Sequence, residues 1–118
     1  MLWNSQKKKP ESSGKIDRNK ITADIIKGLR TIYDPEIPLN IYDLGLIYEL
    51  KVDDDGKVHI KMTLTAPGCP MADMLFEQVN EMVSQTSGVK NCAIELVFEP
   101  EWDKSRISEE GLAELGML

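Results

Sequence analysis

The chain is poor in the residues that build metal sites. Its 118 residues include two cysteines, Cys69 and Cys92, and one histidine, His59. Three such residues cannot supply the four ligands of a Cys/His zinc site within one chain. Two cysteines are also too few for the disulfide framework of a small secreted domain. No run approaches the ~18 apolar residues of a membrane-spanning helix. Met1-Leu2-Trp3 is followed at once by polar and basic residues, so the apolar centre of a signal peptide is missing. The Gly-x-x-x-x-Gly-Lys-Ser/Thr phosphate loop, Gly-x-Gly-x-x-Gly and His-Glu-x-x-His are absent too, which leaves NTPase, dinucleotide-enzyme and zinc-protease readings unsupported. The expected compartment is the cytoplasm, where both thiols stay reduced.

What remains is an ordinary globular composition, 42% hydrophobic and 29% charged, of a length that suits one domain. The net charge of −6 is split along the chain. Residues 1–20 carry +4 and residues 21–118 carry −10. An acidic body repels phosphate backbones, so nucleic acid is a poor partner for the folded part. The basic leader could touch nucleic acid or a membrane surface but reads more simply as a solvated tail, so neither is an expected partner. Residues 1–18 read as a mobile basic leader, and residues 19–118 as the folded domain.

Periodicity orders that domain. Ile21, Ile25, Leu29 and Ile32 make a helical stripe that Asp17, Asn19 or Thr22 could cap and Pro35 should end. A two-proline loop, Asp34 to Asn40, follows. A strand should begin near Leu46, with Leu46, Tyr48, Leu50 and Val52 on one face. Asp53-Asp54-Asp55-Gly56 is a hairpin turn. On the return strand Val58, Ile60, Met62 and Leu64 alternate with Lys57, His59, Lys61, Thr63 and Thr65. A second helix from Pro70 to Gln85 should bury Met71, Met74, Leu75, Val79, Met82 and Val83, and Gly88 closes it. A third strand, Val89 to Phe98, places Cys92, Ile94, Leu96 and Phe98 together. Ser108, followed by Glu109 and Glu110, caps a short last helix. The expected fold is α+β, in the order α-β-β-α-β-α, with three strands packed against helices.

The chemistry points to Cys69. It stands between a strand and a helix, where the helix dipole and free N–H groups favour a thiolate, which is the nucleophile and the metal ligand. Gly68 allows close approach of another group. Cys92, in line with Ile94, Leu96 and Phe98, reads as a core thiol. His59 lies six residues before Thr65 on the same strand, roughly 20 Å away, so a Cys-His dyad is not expected. Asp34, Glu36 and Asp43 could join a thiolate around iron or another divalent metal. Equally, Asp34 and Asp43 could cap turns while Glu36 faces solvent.

Three segments carry a resemblance. They are Tyr33-Asp34-Pro35-Glu36-Ile37-Pro38, Ile41-Tyr42-Asp43-Leu44-Gly45-Leu46-Ile47-Tyr48, and Thr63-Leu64-Thr65-Ala66-Pro67-Gly68-Cys69-Pro70. Together with Glu99-Pro100-Glu101-Trp102 and Ser108-Glu109-Glu110, they resemble the SufT-like and PaaD-like family of small domains. That family serves iron–sulfur cluster assembly and is related to the cytosolic iron–sulfur targeting factor. The resemblance spans about residues 20–117, nearest to the stand-alone bacterial form. The cysteine-rich extension of PaaD-type members and the phosphate loop of ATPase-fused members are both missing.

The resemblance implies a non-enzymatic accessory factor that helps deliver or insert clusters into client apoproteins, alongside the assembly machinery. It implies no tightly held cofactor, only a transient cluster or iron. Cys69 is the implied functional thiol and metal ligand. Asp34, Glu36, Asp43, Thr65 and Gly68 line the motif surface, and Trp102 closes over it. The alternative is a protein–protein adaptor with a structural Cys69 and no metal. An open strand edge would let two copies pair as a homodimer.

Overall fold

The computed structural model of the chain describes residues 17–66 and 72–117. The first helix, α1 (Arg18–Leu29), begins where Asp17 caps it by accepting from the Lys20 N–H at 3.0 Å. Ile21, Ile25 and Leu29 form its buried stripe. The helix ends at Leu29, before Ile32 and Pro35 are reached, for a reason outside its own periodicity. Ile32 O is taken by the Ile41 N–H at 2.9 Å, and Tyr33 bridges Asn40. Backbone engaged with a later segment cannot also continue the helix ladder.

Strands β1 (Ile47–Val52) and β2 (Lys57–Met62) form an antiparallel hairpin, and β3 (Asn91–Leu96) pairs parallel to β2. The order β1-β2-β3 leaves β1 and β3 as edges. The hairpin turn is as expected: Gly56 has φ +85°, and the Asp53 carboxylate accepts from the Asp55 and Lys57 N–H groups. Parallel strands need a crossover, and α2 (Ala72–Ser84) supplies it. A 3₁₀ turn (Lys104–Arg106) and α3 (Glu109–Glu114) end the domain. The described elements thus follow the expected α-β-β-α-β-α order.

The alternation of β2 is complete, with Val58, Ile60 and Met62 buried and Lys57, His59 and Lys61 exposed. β1 departs from expectation. Ile47 pairs with Met62 and Leu50 with Ile60, so an irregularity lies between Ile47 and Glu49. Ile47, Leu50 and Val52 therefore share the core face, and Tyr48 is displaced from it. Bulges of this kind bend a strand and re-aim a side chain. Tyr48 now donates its hydroxyl to Pro100 O at 2.8 Å and lies under Arg106 at 4.4 Å.

Other side chains also depart. Leu75, Val79 and Val83 of α2 are buried, while Met74 is 51% exposed. Met82 fills the space over Gly28 of α1. Phe98 lies beyond the end of β3 and is exposed, and Thr63, expected outward, is buried. Met71 lies outside the described residues. The segment between α1 and β1 has no regular structure yet contributes Leu39, Ile41, Leu44 and Leu46, all fully buried. Each such side chain is worth about 1.5–3 kcal/mol of burial, so this loop is part of the core.

Candidate functional site

Topology collects the motif segments at one end. In a β-α-β unit with parallel strands, the crossover helix runs back against them. The ends of β2 and β3 and the start of α2 therefore share one end of the sheet. Ala66, Ala72 and the Phe98–Trp102 segment stand there. Open α/β sheets bind ligands at the carboxyl ends of parallel strands, where loops converge.

A cavity of about 200 Å³ opens at this end. Thr63, Thr65, Glu99, Glu101 and Trp102 are among its walls. Trp102 is held by its indole N–H, which donates to Leu44 O at 2.6 Å. That contact ties the C-terminal segment to the Ile41–Tyr48 motif. Gly45, with φ +81°, packs so close to Arg106 that a Cβ there would run into its carbonyl oxygen.

Asp43 works behind this wall. Its carboxylate, 8% exposed, accepts from Asn40 Nδ2 at 2.9 Å and from the Ser108 hydroxyl at 2.9 Å, with the Arg30 guanidinium at 3.5 Å. Ser108 in turn accepts from the Gly111 N–H and so caps α3. One carboxylate therefore joins the loop, the end of α1 and the last helix. Asp34 is likewise turned inward, accepting from the N–H groups of Glu36 and Ile37 at 2.8 Å each. Glu36 itself is exposed.

Of the residues singled out by sequence, the structure thus brings Thr65 and Trp102 together. Asp43 supports them from behind. Asp34 and Glu36 do not line the cavity. Gly68 and Cys69 lie outside the described residues, between Ala66 and Ala72. Among the described residues, no three His, Cys, Asp or Glu side chains stand close enough to share a metal ion. Cys92 is half-buried, and burial pushes its thiol above the ordinary value, which disfavours the reactive thiolate. Just after Trp102, the Asp103 carboxyl is held below its ordinary range by hydrogen bonds from the Ser105 hydroxyl and N–H.

Sequence reasoning missed Thr63, Glu99 and Glu101. Period-two alternation sends Thr63 outward. The signal that could have corrected it is Trp102, a large amphipathic side chain just after the strand, which needs somewhere to pack.

Comparison with known proteins agrees with this architecture. A family model described as an iron–sulfur cluster assembly protein matches residues 22–96. The Fe-S protein maturation auxiliary factor of Porphyromonas gingivalis is 57% identical over 95 residues, covering 80% of this chain and 90% of that protein. The Fe-S protein maturation auxiliary factor YitW of Bacillus subtilis is 34% identical over 97 residues, covering 82% and 95%. A crystal structure of a domain of unknown function from Bacillus anthracis superposes with a TM-score of 0.77 at 29% identity, covering 86% and 96%.

Proposed function

The chain belongs to the iron–sulfur cluster assembly protein family, and from that membership we propose that it is an accessory factor in the maturation of iron–sulfur proteins. On this reading it is not an enzyme. It works in the cytoplasm with the assembly machinery and with client apoproteins, and the cluster is cargo. Cys69 is a transient ligand. Hard carboxylates and soft thiolates both suit iron, but one chain has too few soft ligands to enclose a cluster. A second copy or a partner then supplies the others, which suits a handover.

The observation that carries the reading is the convergence of motifs at one end of the sheet. Thr65 and Trp102 line one cavity there, and Cys69 itself lies outside the described residues. The other thiol, Cys92, is half-buried with its ionisation disfavoured. It belongs to β3, where α2 packs.

Replacing Cys69 by serine tests this. Folding is expected to be retained, and the activity of a cluster-dependent client such as aconitase is expected to drop in cells. Full client activity would remove Cys69 from the mechanism. Anaerobic reconstitution with iron and sulfide separates carrier from adaptor. Visible absorbance that depends on Cys69 supports the carrier. No absorbance, with client capture intact in Cys69→Ser, supports the adaptor.

A further inference from the structure

Thr63 is a polar residue in a position that suits an apolar one. It follows β2, is 1% exposed, and donates its backbone N–H to Leu46 O at 2.9 Å. It is one of the residues that line the cavity, and its hydroxyl makes no hydrogen bond with a described residue. Leaving a buried hydroxyl unpaired costs about 1–3 kcal/mol. A group that enters the cavity and donates to it would remove that cost.

The other walls say what kind of group fits. Glu99 and Glu101 are exposed at the cavity, and neither forms an ion pair with a described residue. Two uncompensated carboxylates favour a cation. Trp102 is half-buried and fixed through Leu44 O, so its ring is a preset wall. Indole faces attract cations, but the indole N–H is a donor only and cannot ligate a metal. No three candidate ligands among the described residues converge on one point. The set is therefore better matched to an organic cation than to a bare metal ion. The volume of about 200 Å³ is below the usual range for cofactor pockets of ~300 Å³ and more, but it admits one side chain. The acidic body adds a long-range pull on a basic partner.

We propose that this cavity is the docking pocket for an arginine side chain of a partner polypeptide. The planar guanidinium offers five donors in a rigid fork and stacks on aromatic faces. It can therefore meet the Trp102 ring, a glutamate carboxylate and the Thr63 hydroxyl together, which a lysine ammonium does less well. The proposal deepens the accessory-factor reading by naming a partner's chemistry, and it rests on that reading for the partner's role but not for the binding itself.

The test is a titration of the ¹⁵N-labelled full chain with acetyl-Gly-Arg-Gly-amide. It follows the Trp102 indole N–H and the Thr63 and Thr65 amides by NMR, and Trp3→Phe identifies the Trp102 indole signal. Saturable shifts of all three are expected. The citrulline peptide, neutral and of the same shape, should bind about tenfold more weakly. Joint Glu99→Gln and Glu101→Gln replacement should weaken the arginine peptide about tenfold and leave the core spectrum unchanged. Equal binding of the citrulline peptide would overturn the proposal. So would the absence of saturable shifts up to about 10 mM peptide, a range that covers the affinity expected of one side chain. Micromolar manganese broadening the same three signals and displacing the peptide would reassign the cavity to a metal ion. None of these results bears on client activity in Cys69→Ser, so either idea can fail alone.

Discussion

The two ends of the sheet are both acidic, and their acids are used differently. At the hairpin end Asp53, Asp54 and Asp55 precede Gly56. Asp53 holds the turn, and Asp54 pairs with Arg18 at 3.2 Å. At the opposite end Asp34 and Asp43 are buried and turned inward, and Glu99 and Glu101 remain exposed on a cavity. Carboxylates at the first end close a turn. At the second end, buried carboxylates hold a wall in place and exposed ones face whatever enters. The number of acidic residues does not separate the two ends; the partners of each carboxylate do.

The largest expected effect comes from removing the buried support. Asp43→Ala leaves Asn40 Nδ2 and the Ser108 hydroxyl without their acceptor. Each unsatisfied buried group costs on the order of 1–3 kcal/mol, so the variant should lose about 3 kcal/mol in urea unfolding. Asp43→Asn keeps one acceptor oxygen and should lose less than half of that. If Asp43→Ala were no less stable than an alanine variant of exposed Asp55, the contrast between the two ends would collapse.

The paired glycines sharpen the contrast. Gly45 and Gly56 have nearly the same positive φ, +81° and +85°. Alanine in that conformation costs about 1–2 kcal/mol, and Gly56→Ala should show roughly this. At Gly45 a new Cβ would also run into the Arg106 carbonyl oxygen. Gly45→Ala should therefore cost more, about 2–4 kcal/mol. It should also shift the Trp102 indole resonance, because the segment it displaces is the one that carries Trp102. Equal losses at the two glycines, with an unmoved indole signal, would mean that the C-terminal segment does not depend on this contact.

How much of this was legible in the sequence follows the range of each interaction. Local signals read correctly. The Ser108 cap, the turn at Gly56 and the alternation of Val58, Ile60 and Met62 depend on a few neighbouring residues, and among the three candidate caps of α1 the structure selects Asp17. The displaced Tyr48 was not legible, because a distant pairing decides it: the Thr63 N–H bonds to Leu46 O and pins the strand start. The early end of α1 has the same origin in the Ile32–Ile41 contact. Phe98 read as core because strand alternation was continued past Leu96, where the strand ends. For the site, motif resemblance marked Thr65 and Trp102, which line one cavity. It also marked Asp34 and Asp43, whose spacing is compatible with both ligation and turn-capping. Only their hydrogen-bond partners separate those roles. Thr63 belongs to the third motif segment, but period-two alternation sent it outward and gave no sign of its burial.

The smallest expected effect lies at the hairpin end and is read against pH. Asp53 is held below its ordinary value of 3.8, first by the Lys57 N–H and then by that of Asp55. The folded chain therefore binds this proton less readily than the unfolded chain. Its stabilising contribution is complete above the ordinary value and is lost as pH falls through the lower folded one. Asp53→Asn cannot titrate. Wild-type stability should exceed that of the variant near neutrality and fall more steeply below about pH 4, so that the two curves approach each other. Urea midpoints from about pH 6 to about pH 2.5 measure this. Curves that stay parallel would show that the Asp53 charge is not what closes the turn. Asp53 would then differ from Asp43 in location but not in kind, both acting through shape and hydrogen bonding that an amide can imitate.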